Sequence, residues 1–485
     1  MSSSDKHVFG TSYPFHAVWQ TYRMAVTSFI TGCSDLARVS SRIPHTFDSF
    51  RNRSYRALWT SNFFSYISRW MQMTMLIWLV FSLTDSAFKA ALVGFFGMGP
   101  MLLLGIIGGL LADRADKRRL LMLTQLANVF ASIIIAILLF TDTMAYWHAY
   151  VVMMVSGIGW ALDMPSRRSI VIDILGRARV TNAVALDSLG MHSSRMIGPG
   201  LAGLLISLID VQGGYVVAVI FYSLSVILMV AVTLPEGRIQ PVISNTASNA
   251  FRNLAEGFKY VRSNNTIMAV VLITIFMNFM LFPYQQLIPV VAVRVFEIGP
   301  GLMGLMLAAE GFGALIGALV IASRSDMSYH GRVYLYGSLL ALSMLLMLAL
   351  SRWYGLSLLV LFILGLGTSG FGTMQGTIVM LVARDDMRGR ALGIMSLAIG
   401  AGPLGALAIG AVADATSAPT AMIINAISGF VLVALIGLFW TSIRQQMVAD
   451  TGSAEVEPND VDDKGAEQQV PRSDTDSGQK LPAAD

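Results

Sequence analysis

Five charged side chains interrupt long apolar stretches of this sequence: Arg69, Asp163, Asp187, Arg195 and Glu310. A charge inside a segment that could cross a bilayer is costly, so it usually faces a cavity or an opposite charge. Because desolvation favours the protonated form of a carboxyl group, Glu310 is the first candidate for a proton carrier and Asp163 the second. The alternative for Glu310 is a permanent pair with Arg69 or another cation.

Arg69 offers five hydrogen-bond donors and keeps its charge, which suits a carboxylate or a phosphate-like group. We therefore predict that it contacts an anionic substrate. An internal pair with Glu310 or Asp163 is the competing interpretation. Asp187 and Arg195 lie on one helical stripe and are predicted to be structural charges, with substrate contact by Arg195 left open.

Uncharged polar side chains near the middle of the apolar stretches are candidates for lining a substrate cavity. They are Asn62, Tyr66, Gln72, Trp160, Asn278, Tyr284, Gln285 and Gln375. The sequence contains no phosphate-binding loop, zinc-binding helix or nucleophile elbow, so it predicts neither ATP hydrolysis nor protease chemistry, and no enzyme.

The elements that must position these residues are membrane-spanning helices. The sequence is 55% apolar and only 13% charged, against about 25% charged residues in soluble proteins. A helix needs about 20 apolar residues to cross the bilayer core. Twelve stretches meet this need, near 57–82, 90–112, 120–140, 147–165, 183–209, 214–235, 266–293, 302–322, 333–351, 356–382, 391–413 and 418–441.

The twelve predicted spans form two similar halves. Arg114 and Arg324 lie 210 residues apart, as do Asp116 and Asp326, and Gly94 and Gly304. We therefore predict an all-α integral membrane fold of two pseudo-symmetric six-helix bundles. Transporters built from such repeats bind their substrate between the halves.

Charge placement predicts the orientation. The loops after the even-numbered spans carry seventeen Lys and Arg residues, and those after the odd-numbered spans carry three. By the positive-inside rule, both termini are predicted to be cytoplasmic in a multi-pass protein of the plasma membrane. The basic balance indicates contact with anionic lipid rather than nucleic acid. Cys33 is the lone cysteine, so no disulfide framework or cysteine metal site is expected, and no cofactor is predicted.

Five regions follow from these patterns. Residues 1–54 are predicted to be a cytoplasmic extension with an amphipathic helix, unless Met24 is the true start. Residues 55–235 and 266–444 are the two bundles. Residues 236–265 are a cytoplasmic linker with an amphipathic helix. Residues 445–485 are predicted to be a disordered acidic tail, since they hold too little apolar surface to fold.

The loop Gly109–Arg119 resembles the signature G-x-L-A-D-R-x-G-R-K of the major facilitator superfamily, with Asp116 in place of its second glycine. This resemblance implies that Asp113, with Arg114, Lys117 and Arg118, takes part in gating. The alternative is that these residues are only positive-inside anchors. The resemblance also implies that spans 1, 4, 7 and 10, which carry the polar residues named above, line the cavity.

The chain is further identified as similar to the enterobactin-exporter-like group of this superfamily. The matching segments are Phe50–Trp59, Trp70–Gln72, Pro165–Arg168, Ala185–Leu186, Arg195–Gly203, Arg388–Ala391 and Gly402–Ala406. Gly198, Pro199 and Gly203 resemble an antiporter signature, and Gly402, Pro403 and Gly405 mirror it. Proline inside a helix bends it and glycine allows close packing, so both triplets are predicted to kink and pack helices.

Together these features predict a secondary transporter, a monomeric proton-driven exporter of a small molecule such as a siderophore, a drug or a related metabolite. Its partners would be that substrate, protons and membrane lipid. A proton-coupled importer is an alternative. A non-transporting membrane sensor or scaffold on the same fold is another.

Overall fold

The computed structural model describes the backbone of residues 48–114, 116–176, 180–233, 247–324 and 328–446. Side chains are described there except at 48, 103–114, 165, 168, 180, 181 and 247–251. The predicted extension helix and acidic tail lie outside the described residues. The α-helices are α1 Arg53–Thr84, α2 Ala87–Arg114, α3 Lys117–Phe140, α4 Tyr146–Leu175, α5 Val180–Val230, α6 Ala247–Ser263, α7 Asn265–Phe276, α8 Tyr284–Arg294, α9 Pro300–Ala322, α10 His330–Leu350, α11 Tyr354–Val382, α12 Arg388–Ile399, α13 Gly402–Ala415 and α14 Ala418–Phe439.

The predicted all-helical membrane fold is confirmed. Eight helical segments among the described residues are long and apolar enough to cross a membrane, judged by length and composition. They are 117–140, 182–230, 265–294, 300–322, 330–350, 354–382, 388–415 and 418–439. The count of twelve spans stays a prediction.

Three breaks interrupt these segments. Helix α5 has non-helical backbone at Ile209 and Asp210, where φ is −140° and 58°. A π-helix, Met277–Leu281, separates α7 from α8 and is followed by Pro283. Helices α12 and α13 are separated at Gly400 and Ala401. Local irregularities of this kind let a segment turn while the chain stays mostly helical.

The two Gly-Pro triplets differ in where the proline lies, although the break at Gly400 and Ala401 falls next to the predicted kink. Pro199 is inside α5, whereas Pro403 occupies the first turn of α13. Proline is well accommodated at a helix start, because the N–H it lacks would have no partner there. Gly405 still packs closely, since an added Cβ would lie 2.8 Å from Cα of Phe279.

Helices α1–α5, the first half, pack against α7–α14, the second half, through α5 with α9 and α2 with α13. Glycines bring these helices close together. A Cβ added at Gly203 would lie 2.7 Å from Cα of Gly304. A Cβ added at Gly94 would lie 2.8 Å from Cγ of Gln286 in the second half. Two glycines that are 210 residues apart, Gly94 and Gly304, therefore both lie at contacts between the halves.

Polar contacts join the halves where α1 ends and α2 begins, which we call the Asp85 end. Nη2 of Arg294 lies 2.8 Å from Oδ1 of Asp85. The carboxylate of Asp414, on α13, accepts hydrogen bonds from Oγ of Ser86 at 2.6 Å and from the backbone N–H of Ala87 at 2.7 Å. A residue of the second half thus caps the first turn of α2 in the first half.

The opposite end of the bundle carries the linker helix α6, and we call it the Glu256 end. Glu256 lies 3.1 Å from Arg390 of α12 and 3.6 Å from Arg252. Val261 is buried, whereas Phe258, three residues earlier and on the same face of α6, is 58% exposed. Helix α6 is therefore held against the second half and leaves an aromatic side chain free for an interface.

Candidate functional site

A cleft with about 420 Å³ of empty space lies between the two halves. Helices α1 and α5 of the first half and α8 and α9 of the second half form its walls. Its lining residues are Trp70, Met73, Thr74, Ile77, Arg195, Pro199, Gln285, Pro289, Leu307 and Glu310. The cleft is therefore largely apolar and contains one cation and one carboxylate.

The cation and the carboxylate form a pair across the halves. Nη2 of Arg195 donates to Oε1 of Glu310 at 3.1 Å. Oε1 also accepts from Oγ1 of Thr368 at 3.4 Å, and Oε2 accepts from Nε2 of Gln285 at 3.3 Å. Glu310 is 1% exposed. The predicted alternative, a pair of Glu310 with Arg69 or another cation, is therefore present, but the cation is Arg195 and not Arg69.

Glycines on both sides of the interface place this pair. A Cβ added at Gly198 would lie 2.6 Å from Cβ of Trp70, so α1 and α5 touch one turn beyond Arg195. A Cβ added at Gly311 would lie 2.6 Å from Cα of Met196. Since Gly311 follows Glu310 and Met196 follows Arg195, this close approach of α5 and α9 brings the two charges together.

Two hydrogen-bond donors of the cleft have no acceptor. Nε of Arg195 and Nε1 of Trp70 are buried, and neither has a partner. The guanidinium of Arg195 lies 5.7 Å from the ring centroid of Trp70 and 5.6 Å from that of Phe282, within the range of cation–π attraction. The cleft therefore holds its cation firmly while some of its hydrogen-bonding capacity is unused.

A second cavity, of about 330 Å³, lies within the first half. It is lined by Ser65, Tyr66, Arg69, Asn128, Trp160, Asp163, Met164, Arg167 and Tyr222. Arg69 donates through Nη1 to the carbonyl of Ser156 at 2.6 Å and to its Oγ at 2.9 Å, and through Nη2 to the carbonyl of Gly97 at 3.1 Å. Its guanidinium lies 3.9 Å from the ring centroid of Trp160. Arg69 thus contacts neutral acceptors on α2 and α4.

Asp163 belongs to this second cavity and not to the cleft. Both Nε and Nη2 of Arg167 donate to its Oδ2, and Oγ1 of Thr124 donates to its Oδ1 at 3.0 Å. The predicted alternative in which Arg69 pairs with Asp163 is therefore also wrong. Asp187, the predicted structural charge, accepts a hydrogen bond from Nδ2 of Asn62 at 3.5 Å.

The predicted polar cavity residues separate into three groups. Gln285 lines the cleft, and Tyr66, Arg69 and Trp160 line the second cavity. Five others line neither cavity: Asn62, Gln72, Asn278, Tyr284 and Gln375.

The physical reason is that buried polar groups are also used to join helices. Gln72 accepts from the hydroxyl of Tyr222 at 3.0 Å and donates to Ser132 at 3.3 Å. Other buried polar groups bond to nearby backbone instead: Asn278, in the π-helix, donates to the carbonyl of Thr274 near the end of α7 at 2.9 Å.

The charged loop after α2 is partly described. Asp116 caps α3 by accepting from the backbone N–H groups of Arg118 at 3.0 Å and Arg119 at 3.2 Å. An aspartate at this position thus supplies a helix cap where the superfamily pattern has glycine. Lys117 pairs with Asp173 at 3.0 Å, and Nη2 of Arg118 donates to the carbonyl of Val230 at 2.7 Å. The side chains of Asp113 and Arg114 lie outside the described residues.

The sequence profile of the family described as transmembrane secretion effectors matches residues 45–469. The chain belongs to that family. It is a multi-pass secondary transporter of the major facilitator superfamily and not an enzyme, so the predicted resemblance is confirmed. The chain is 25% identical to a staphyloferrin A transporter of Staphylococcus aureus over 365 residues, which cover 73% of this chain and 88% of the relative.

Two further comparisons agree with this assignment. The chain is 24% identical to the enterobactin exporter of Salmonella typhi over 395 residues, which cover 79% of this chain and 91% of that protein. A solved structure of a bacterial homologue of the human lysosomal transporter Spinster superposes with a TM-score of 0.63 at 14% identity, over 83% of this chain and all of that one. At 14% identity, the likeness to the solved structure shows the fold alone.

The sequence did not predict the apolar lining of the cleft, which includes Trp70, Met73, Ile77, Pro289 and Leu307. Apolar residues of a cavity look like those that face lipid. One signal was present, because positions 70, 73, 74 and 77 recur at helical spacing and lie on one face of α1. A polar residue on that face, Thr74, hydrogen-bonds to its own helix at the carbonyl of Trp70.

Proposed function

We propose that this transmembrane secretion effector is a proton-driven exporter of a small molecule that works by alternating access. The observation that carries the proposal is the Arg195–Glu310 pair, which joins the two halves inside the cleft between them. A charge pair at that position can couple the titration of one group to the relative movement of both halves. The substrate is a siderophore, which the names of the staphyloferrin A and enterobactin transporters support, or a drug or a related metabolite.

A twelve-span membrane topology accommodates this function. Helices α1, α2 and α4 contain 32, 28 and 30 residues, each more than the about 20 that a span requires. The break at Ile209 divides α5 into two helices. Counting α5 twice and adding α1, α2 and α4 to the other seven apolar segments supports twelve spans.

The basic loops support a cytoplasmic location of the Glu256 end and of both termini in a plasma membrane protein. Lys117, Arg118, Arg384, Arg388 and Arg390 all lie at that end. The protein acts as a monomer, with membrane lipid around it.

Alternating access requires that contacts at each end break in turn. At the Asp85 end, the contacts of Arg294 and Asp414 hold the outer side closed. At the Glu256 end, we assign the gate to Asp113, with Arg114, Lys117 and Arg118 beside it. The charge of Asp113 favours closure of the inner side when the outer contacts separate.

Proton coupling is assigned to Glu310. Its carboxylate holds Arg195, Gln285 and Thr368, so its protonation removes the charge that keeps the two halves joined inside the cleft. His192 on α5 and Tyr284 on α8 are the other titratable groups near this pair. Asp163 is the second candidate, and its pairing with Arg167 inside one half makes it less suited to couple the two halves.

The test is transport by inverted membrane vesicles that contain the full chain. We expect an imposed proton gradient to drive accumulation of at least one compound from a panel of siderophores and drugs, and a protonophore to abolish it. Vesicles without the protein are the control. Accumulation that persists after the gradient collapses would contradict proton coupling.

A further inference from the structure

The hydrogen bonds of the cleft leave donors in excess. Both oxygens of Glu310 are engaged by Arg195, Thr368 and Gln285. Nε of Arg195 and Nε1 of Trp70 lie buried beside the same space without an acceptor. A buried donor without a partner is costly, so the cleft favours a molecule that brings oxygen or nitrogen acceptors to these two groups.

The charge of the cleft decides which kind of acceptor fits. Among its lining residues, Arg195 contributes +1 and Glu310 contributes −1, so the formal charge is zero. A second carboxylate would lie next to Glu310 and leave one negative charge uncompensated in a poorly solvated site. An uncharged carbonyl oxygen accepts the same hydrogen bonds without that cost.

The remaining walls fit an apolar body. Met73, Ile77, Pro289 and Leu307 line the same cleft as Arg195 and Trp70, so most of its lining is apolar, as in small-molecule sites generally. We propose that the cleft binds substrates through an uncharged carbonyl group, such as that of an ester, a lactone or an amide, which accepts from Arg195 and Trp70. This proposal rests on the proposed function and deepens it by naming a substrate class.

The same arrangement makes substrate binding and protonation of Glu310 unfavourable to each other. Ionised Glu310 holds the guanidinium of Arg195 through Nη2, and this fixes the position of Nε beside the cleft. When Glu310 is protonated, the guanidinium is released and the carbonyl loses a positioned donor. Binding of substrate and of proton therefore weaken each other, which is the linkage that an antiporter requires.

Benzamide and benzoate test the proposal because they share ring and size and differ in charge. Ligand-observed NMR titrations on the purified full chain in detergent give their dissociation constants. We expect the transporter to bind benzamide at least about tenfold more tightly than benzoate, a free-energy difference equivalent to one hydrogen bond. Trp70→Phe keeps an aromatic ring and removes the donor, so it should weaken benzamide binding about tenfold. Trp353→Phe, at a position that is 72% exposed, is the matched control.

Two further variants keep the test decisive if Trp70→Phe does not fold. Arg195→Lys keeps the charge and removes Nε, so it should also weaken benzamide binding. Glu310→Gln leaves Arg195 without its anion and should reverse the preference in favour of benzoate.

Tighter binding of benzoate by the unmodified protein would overturn the proposal. So would benzamide binding that none of these variants changes, or no binding of either probe up to its solubility limit. Vesicle transport decides the proposed function separately, since a proton-driven exporter that fails these titrations contradicts only the substrate class.

Discussion

Arg195 and Arg69 are two arginines in apolar helices that have opposite surroundings. Arg195 lies between the halves, faces the carboxylate of Glu310 at 3.1 Å and keeps a donor unused. Arg69 lies within the first half and directs its donors at Ser156 and Gly97, beside Trp160. Arg195 therefore joins the two halves through a carboxylate, which is why we propose it as part of the coupling site, whereas the hydrogen bonds of Arg69 go to neutral groups. Neutral acceptors on neighbouring helices of one half indicate that Arg69 holds that half together.

The largest effect should follow Arg195→Gln. This change leaves Glu310 buried without a cation, which costs about 3–5 kcal/mol in other buried pairs. Chemical unfolding in detergent should show a loss of that size. The double variant Arg195→Gln with Glu310→Gln should recover most of the stability. Equal losses in the single and double variants would show that the pair is not what holds α5 to α9.

Arg69→Gln should have a smaller effect. It removes hydrogen bonds to neutral acceptors and leaves no buried carboxylate unpaired, so we expect a loss of about 1–3 kcal/mol in the same assay. Substrate affinity should be unchanged. Weaker binding of an anionic substrate at full stability would restore the substrate role that the sequence predicts for Arg69.

The smallest effect on stability should come from Asp414→Asn, because exposed polar contacts contribute about 0–1 kcal/mol. Its effect on conformation should be clear. The probe is a single cysteine in the cleft, Thr74→Cys in a Cys33→Ser background, labelled by a thiol reagent added at the Asp85 end. Asp414→Asn should increase this labelling, because it weakens the contacts that close the Asp85 end.

Asp113→Asn should decrease the same labelling, because it removes the charge that favours closure of the inner side.

Ser65→Cys, in the second cavity, is the matched control and should react equally in both variants. If labelling at position 65 changes as much as labelling at position 74, the two cavities open together and the distinction between them fails.

The sequence predicts the helices and the repeat because both depend on local composition and spacing. A run of apolar residues is enough to indicate a span, and glycines 210 residues apart mark equivalent packing positions. The sequence also identifies Glu310 and Asp163 as unusual, since a charge in such a run is costly wherever it lies.

The pairing of these charges could not be predicted in the same way. Arg195 and Glu310 are 115 residues apart, and their contact depends on how closely α5 and α9 approach at Gly311. The surroundings of polar residues are equally hard to predict, because they depend on how a helix is rotated about its axis. Trp70 lines the cleft, whereas Gln72, two positions later, hydrogen-bonds to Tyr222 and Ser132 inside the first half. The Gly-Pro pattern likewise predicts a kink near Gly402 but does not reveal that Pro403 lies in the first turn of a new helix, α13.

The central claim is that Glu310 couples the proton to the substrate, and the most direct test compares Glu310→Gln with Asp163→Asn in the same inverted vesicles. We predict that Glu310→Gln abolishes accumulation driven by the proton gradient but still exchanges substrate across the membrane, with the lower affinity expected once Arg195 has lost its anion. Asp163→Asn should keep its dependence on the gradient, even if loss of the Arg167 pair lowers its amount in the membrane. Full dependence on the gradient in Glu310→Gln would contradict the account.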